Sequence, residues 1–145
     1  MYKRILLPTD GSDASARAVQ AGVDFARELG AEVVGMTATP PFHVFSTDTR
    51  MLEDTPELHA ASAAASARRT MDPVAAAARA AGVPCRLEHA VSDQPWQAII
   101  DCAQRLGCDL IVMAAHGRRG LAGLLLGSET QKVLVHSTIP VLVQR

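Results

Sequence analysis

The sequence has little of what usually betrays a function. Aromatic residues fill 3% of its 145 positions, so its core must be built from aliphatic side chains and alanine, and no aromatic platform for stacked bases is expected. Charge of one sign is missing as well: 14 Lys and Arg stand against 15 Asp and Glu, a formal net charge of -1. No overall basic field exists to gather nucleic acid or acidic lipid, and neither is an expected partner. Long apolar runs are absent. The first, Ile5 to Leu7, stops at Pro8, far short of a signal-peptide core or of the ~20 residues that span a bilayer. Cysteine is scarce and odd in number. Cys85, Cys102 and Cys108 lack Cys-x-x-Cys spacing and read as small buried thiols in a reducing cytosol, so a cytoplasmic location is expected. The five histidines show no paired spacing, which disfavours a metal site. Finally, there is no G-x-x-x-x-G-K-[ST], and no G-x-G-x-x-G follows the first apolar run.

What is present is a regular alternation. Hydrophobic residues make up 48% of the chain, and a single domain of this length buries roughly 70% of its unfolded surface without disulfide or metal staples. Arg4 to Leu7 reads as a buried strand ended by Pro8. After the loop Thr9 to Ser12, Ser12 or Asp13 caps a helix whose Val19, Val23, Ala26 and Leu29 recur at helical spacing, with Gly30 as its stop. Ala31 to Ala38 is a second strand, ending before Pro40 and Pro41. The stretch Phe42 to Thr55 loses all periodicity; a connection this long is either a lid or partner surface, or an excursion without a role. Glu57 to Ala81 is an alanine-rich helix stopped at Gly82, with a kink or a break into two pieces expected at Pro73. Cys85 to Val91 is a third strand. Pro95 opens a helix that runs to Leu106 and stops at Gly107; Trp96, in its first turn, reads as a core or interface residue. Asp109 to Ala114 is the clearest strand of all, and Ser128 with Gln131 has capping-box spacing for a further helix before a last strand, Pro140 to Val143. Five strands alternating with four helical regions predict an α/β fold: one open, parallel five-stranded sheet with helices on both faces.

In such a sheet, ligands bind beyond the carboxyl ends of the strands where strand order reverses. If the first and fourth strands flank that point, two loops meet there, Pro8 to Ser12 and Ala114 to Ser128. The second carries glycines at 117, 120, 123 and 127 and runs into a helix amino terminus at Gly127 and Ser128. That arrangement suits a phosphate, because free amides and the helix dipole both favour an anion. Glycines after a strand are also ordinary turn formers, and spacing alone leaves both readings open.

The motif Ala114-Ala115-His116-Gly117, nine residues, then Gly127-Ser128 resembles the nucleotide-binding signature of the universal stress protein family, G-x-x-G, nine residues, G-[ST]. The resemblance covers essentially residues 1–145. Ile5-Leu6-Leu7-Pro8-Thr9-Asp10-Gly11-Ser12 is similar to the family's first strand and loop, Pro95 to its helix-opening proline, and Ile139-Pro140-Val141-Leu142-Val143 to its closing strand. The resemblance implies a Rossmann-like fold of the adenine nucleotide alpha hydrolase-like kind, binding of ATP or of ADP or AMP, and a homodimer; Glu129 and Asp10 are acidic enough to hold Mg2+ against the phosphates, though no spacing establishes it. It implies a nucleoside pocket formed by Pro8, Thr9 and Asp10, an adenine lining from Ala38 and Met113, and a phosphate side at Gly117, Gly127, Ser128, Glu129 and Thr130. Ala114 departs from the pattern by replacing the signature's first glycine. Its methyl group is tolerated in extended backbone but hinders a left-handed conformation or close approach to ribose and phosphate.

Several of these residues have a second reading. Asp10 is also suited to a turn aspartate that accepts loop amides. His116 either contacts phosphate, moves a proton, or orders its loop by a hydrogen bond. Arg118 and Arg119 suit phosphate pairing or plain solvation, with one of them facing the ligand. Ser12 lacks a nucleophile elbow and a base. The expected function is therefore nucleotide binding as a regulatory signal, without turnover, through a homodimer formed along the C-terminal edge strand. The competing expectations are a slow ATPase or nucleotidyl-transfer enzyme, disfavoured by the lack of P-loop lysine and paired acids, and a nucleotide-free dimeric interaction module.

Overall fold

The computed structural model describes residues 1–42, 55–117 and 126–145. The order is β1 (Arg4–Pro8), α1 (Asp13–Leu29), β2 (Glu32–Thr39), α2 (Pro56–Ala81), β3 (Cys85–Val91), α3 (Pro95–Arg105), β4 (Leu110–Ala114), α4 (Ser128–His136) and β5 (Val141–Gln144). The strands form one parallel sheet in the order β3-β2-β1-β4-β5. The chain thus starts in the middle, winds outward to β3, then returns to the other side of β1. The order reverses between β1 and β4, the pair expected from the sequence.

Alternation along the central strands builds the two layers of core. Ile5, Leu7, Val33, Leu110 and Val112 point to one face, where Val19 and Val23 of α1 and Val74 and Ala78 of α2 cover them. Leu6, Val34, Met36, Ile111 and Met113 point to the other, against Ile99 and Ile100 of α3 and Val133 of α4. Burial on both faces is why these strands read as unbroken apolar runs. At about 1.5–3 kcal/mol for each large aliphatic side chain removed from water, this sandwich is the main source of stability. Where α2 crosses β2, a Cβ on Gly35 would lie 2.8 Å from Val74 Cγ1 and 2.9 Å from Leu87 Cδ2, so the layers close only because that position has no side chain.

Three expectations are corrected. Of the two outcomes expected at Pro73, the break into two pieces is overturned: α2 is one helix through it. Buried Ala67 and Met71 before the proline and Val74 and Ala78 after it anchor both sides to the core, which outweighs the lost backbone bond. Ser128 is no capping-box residue: the N-cap is Gly127, in extended conformation and without a side-chain cap. Gln131 instead donates from Nε2 to the Leu126 carbonyl at 3.0 Å. Cys102 and Cys108 are buried as expected, but Cys85 is exposed, because it opens the edge strand β3. The stretch 43–54, within the loop read as a lid or an excursion, lies outside the described residues, as do Arg118, Arg119, Gly120 and Gly123. Among the described residues, no helix is long and apolar enough to cross a membrane.

Candidate functional site

The loop after β1 is built around Asp10. Thr9 is held by its amide, which donates to the Met36 carbonyl at 2.8 Å, and its hydroxyl accepts the Gly11 amide at 3.1 Å. Asp10 Oδ1 accepts the Ser12 amide at 2.9 Å and the Ser15 hydroxyl at 2.8 Å. The turn-aspartate reading is thus realised, and it aims the rest of the carboxylate across the switch point. There Asp10 Oδ2 lies against Gly117, so closely that a Cβ on Gly117 would collide with it. The two loops meet as the topology requires. Ser15 was not singled out from the sequence; it is buried, its hydroxyl donates to Asp10, and its amide donates the N-cap bond to the Ser12 hydroxyl oxygen. The spacing Asp10, Ser12, Ser15 at a helix start was the available signal.

The second loop is tied down from behind. The Ala115 amide donates to the Gln144 carbonyl of β5 at 3.0 Å, and the Gly127 amide donates to the Ala115 carbonyl at 2.7 Å. A Cβ on Gly127 would sit 3.2 Å from His116 Cα, so glycine is needed for this close crossing of two backbones. The bond also corrects one detail, since Gly127 cannot be an amide donor to an anion while it serves Ala115. The first-turn amides of α4, those of Ser128, Glu129 and Thr130, are the ones that helix geometry leaves without intrahelical acceptors. Thr130 is buried, and its hydroxyl donates to the Ala114 carbonyl at 2.9 Å. The Glu129 carboxylate turns away to α3, where Oε2 accepts the Trp96 amide at 2.9 Å.

Ala114 ends β4 in register with Gln144, and no non-glycine residue among those described has a positive φ. Its methyl group is therefore carried by extended backbone. Met113, fully in the core, and Ala38, at its margin, lie on the same face of the sheet, the one covered by α3 and α4. The alternation that turns the Glu32 amide and the Met36 carbonyl toward β1 turns the Ala38 peptide groups to that side too, past the β1 bond at Thr9. Pro8 ends β1 beside Met36. His116 is half-buried beside Gly127. Of the expected site residues, Arg118 and Arg119 and the loop glycines Gly120 and Gly123 lie outside the described residues. Among the described residues, no group of three or more His, Cys, Asp or Glu is placed to hold a metal ion.

Two clefts, of about 230 and 490 Å3, open at the opposite end of the sheet, around Arg4, Glu32 and Pro84. Three of the charged groups lining them have partners: Arg4 pairs with Glu32 and donates to the Leu106 carbonyl. Asp109 accepts the Lys3 and Arg4 amides at 2.9–3.1 Å.

Comparison with known proteins agrees with this fold. The chain is 30% identical over 148 residues to universal stress protein MJ0531 of Methanocaldococcus jannaschii, covering 99% of this chain and 82% of that one. Among solved structures, that of MJ0577 from the same organism superimposes with a TM-score of 0.82 at 26% identity, over 99% and 95% of the two chains. A universal stress protein solved in complex with cAMP does so with 0.70 at 28% identity, over 99% and 97%. The model of the universal stress protein family matches residues 1–145, and the chain belongs to that family.

Proposed function

We propose that this protein binds an adenine nucleotide at the β1–β4 switch point and acts by that binding, not by turnover. The observation that carries the reading is the meeting of Asp10 and Gly117 in front of a helix amino terminus. A carboxylate suited to ribose hydroxyls, a glycine that puts no side chain in front of it, and first-turn amides suited to phosphate converge at one point. The relative solved with cAMP supports the ligand class. Adenine lies toward Ala38 and Met113, with the outward peptide groups of Ala38 available to its edge. Phosphate lies toward Gly117, Gly127 and the amides of Ser128 to Thr130. ATP, ADP and AMP share this chemistry. Mg2+ fits as a companion of the phosphates, since Glu129 is turned to Trp96 and no acidic cage surrounds the site among the described residues.

The signal is a population shift: nucleotide bridges the two loops and biases a surface that a partner reads. That surface is a homodimer contact along β5, an edge strand of the sheet. Leu142 and, on neighbouring α4, Leu134 and Val135 leave apolar area exposed there, Val135 at 76%, and pairing with a second copy would satisfy the edge. The cytosol, where adenine nucleotides are abundant, is the compartment this function requires. Native mass spectrometry of the purified protein tests the ligand: a co-purified or titratable adenine nucleotide is expected, and calorimetry showing no heat with ATP, ADP or AMP overturns the assignment. Light scattering tests the dimer, which fails if the protein is monomeric at micromolar concentration with and without nucleotide.

A further inference from the structure

Helix α3 begins with a deficit. Its N-cap residue, Gln94, makes no side-chain cap, and Pro95 at the first position has no amide to offer. The Gln97 and Ala98 amides both reach back to the Gln94 carbonyl at 3.1 Å. The Trp96 amide is capped from another helix altogether, by Glu129 Oε2 at 2.9 Å, 33 positions away in sequence. The indole of Trp96 meets the ring of His136, the last residue of α4, at 4.7 Å between centroids. One residue of α3 is thus clamped by the first turn and by the last turn of α4. Glu129 itself occupies the turn whose amides face the proposed phosphate, next to Thr130, whose hydroxyl pins the same turn to β4.

From this geometry we infer that Glu129 is a positioning residue of the nucleotide site. It binds no phosphate through its side chain; by capping α3 it fixes the first turn of α4 and aims the amides of Ser128, Glu129 and Thr130. Thr130 holds that turn from the sheet and Glu129 holds it from α3, so two bonds in different directions define its orientation. The same bond makes the start of α3, and the chain's one tryptophan, sensitive to occupancy of the site. This inference rests on the nucleotide reading above. It predicts that loss of the cap is felt by the phosphate end of a ligand and not by its nucleoside.

The test is calorimetry with adenosine and with AMP on the wild type, Glu129→Ala and Glu129→Gln, with Trp96 emission followed in parallel. A lost cap corresponds to roughly a five- to tenfold effect, so Glu129→Ala should weaken AMP by about that factor while adenosine affinity changes less than about twofold. Glu129→Gln keeps a carbonyl oxygen for the Trp96 amide and should recover most of the loss. Trp96 emission should shift on AMP addition in the wild type and in Glu129→Gln, but not in Glu129→Ala. Unchanged or tighter AMP binding in Glu129→Ala overturns the inference, as does equal loss of AMP and adenosine, or a Gln variant no better than the Ala variant. A wild type that binds neither ligand overturns the nucleotide reading itself, a distinct result. Should Glu129→Ala fail to fold, amide exchange at Trp96 in the wild type decides: AMP should slow it, and an unchanged rate overturns the link.

Discussion

At the amino-terminal end of the sheet, Asp109 accepts the amides of Lys3 and Arg4, Arg4 pairs with Glu32, and its guanidinium also serves Leu106. At the carboxyl end, the bonds run behind the loops instead: Ser15 to Asp10, Thr130 to Ala114, Gly127 to Ala115, Ala115 to Gln144. Both ends are polar and both are well bonded. At the first, Arg4, Glu32 and Asp109 are matched by partners from the same chain. At the second, bonds hold backbone in place, and Gly117 and the first turn of α4 belong to the proposed site. The two clefts lie at the first end, and the proposed nucleotide site at the second.

Breaking each end separately should have opposite signatures, and the largest effect is expected at the carboxyl end. Gly117→Val puts a branched side chain where even a Cβ collides with the Asp10 carboxylate. AMP binding by calorimetry should fall more than about tenfold, roughly the cost of lost positioning at a designed contact, while the melting temperature moves little. Retained binding would mean that the meeting of Asp10 and Gly117 does not form the site. Asp109→Ala should do the reverse. Removing an acceptor shared by two backbone amides costs about 1–3 kcal/mol, a drop in melting temperature of very roughly 3–10 °C for a domain of this size, with AMP affinity unchanged. A loss of affinity would show that the two ends are coupled and would break the comparison.

How much of this was legible depends on the range over which each feature is determined. Strands such as Leu110–Ala114 and helix stops such as Gly30 are written in local pattern, and observed boundaries fall within a residue or two of expectation. The switch point followed from topology, and the loops that meet there from their glycines and Asp10. Pro73 misled because local propensity cannot weigh the burial of Met71 and Val74 on either side of it. Ser128 misled because the N-cap is decided by backbone conformation, and Gly127 is the residue held extended by its bond to Ala115. The bond from Glu129 to Trp96 joins residues 33 positions apart, and no local pattern encodes it. Cys85 was read as buried because edge and central strands share a composition until their order is known.

Smaller effects sharpen the contrast from the matched-charge side. Burial of Glu88 alone would raise its pKa, but hydrogen bonds from Arg105 and Arg86 outweigh that and hold the carboxyl below its ordinary range. A depressed folded-state pKa stabilises above the unfolded value and loses that contribution as pH falls through the folded one. Glu88→Gln should therefore lower stability at neutral pH by about 0.5–1 kcal/mol, and the difference from wild type should vanish below the ordinary glutamate range. Denaturant melts at pH 7 and pH 3 check it, and an equal difference at both would remove the ion pairs as its cause.

The smallest expected effect concerns the thiols. Burial pushes all three up, Cys108 to about 11, so little thiolate exists at pH 8 and reaction depends on access. Cys85, exposed at the outer edge by Arg86, should take up one equivalent of iodoacetamide slowly in the native protein, while Cys102 and Cys108 react only on unfolding. Because Cys85 lines the amino-terminal cleft, its modification should leave AMP affinity intact. Protection of Cys85 by AMP would place a ligand at the wrong end of the sheet, and the contrast between the two ends would have to be redrawn with the cleft, not the switch point, as the binding site.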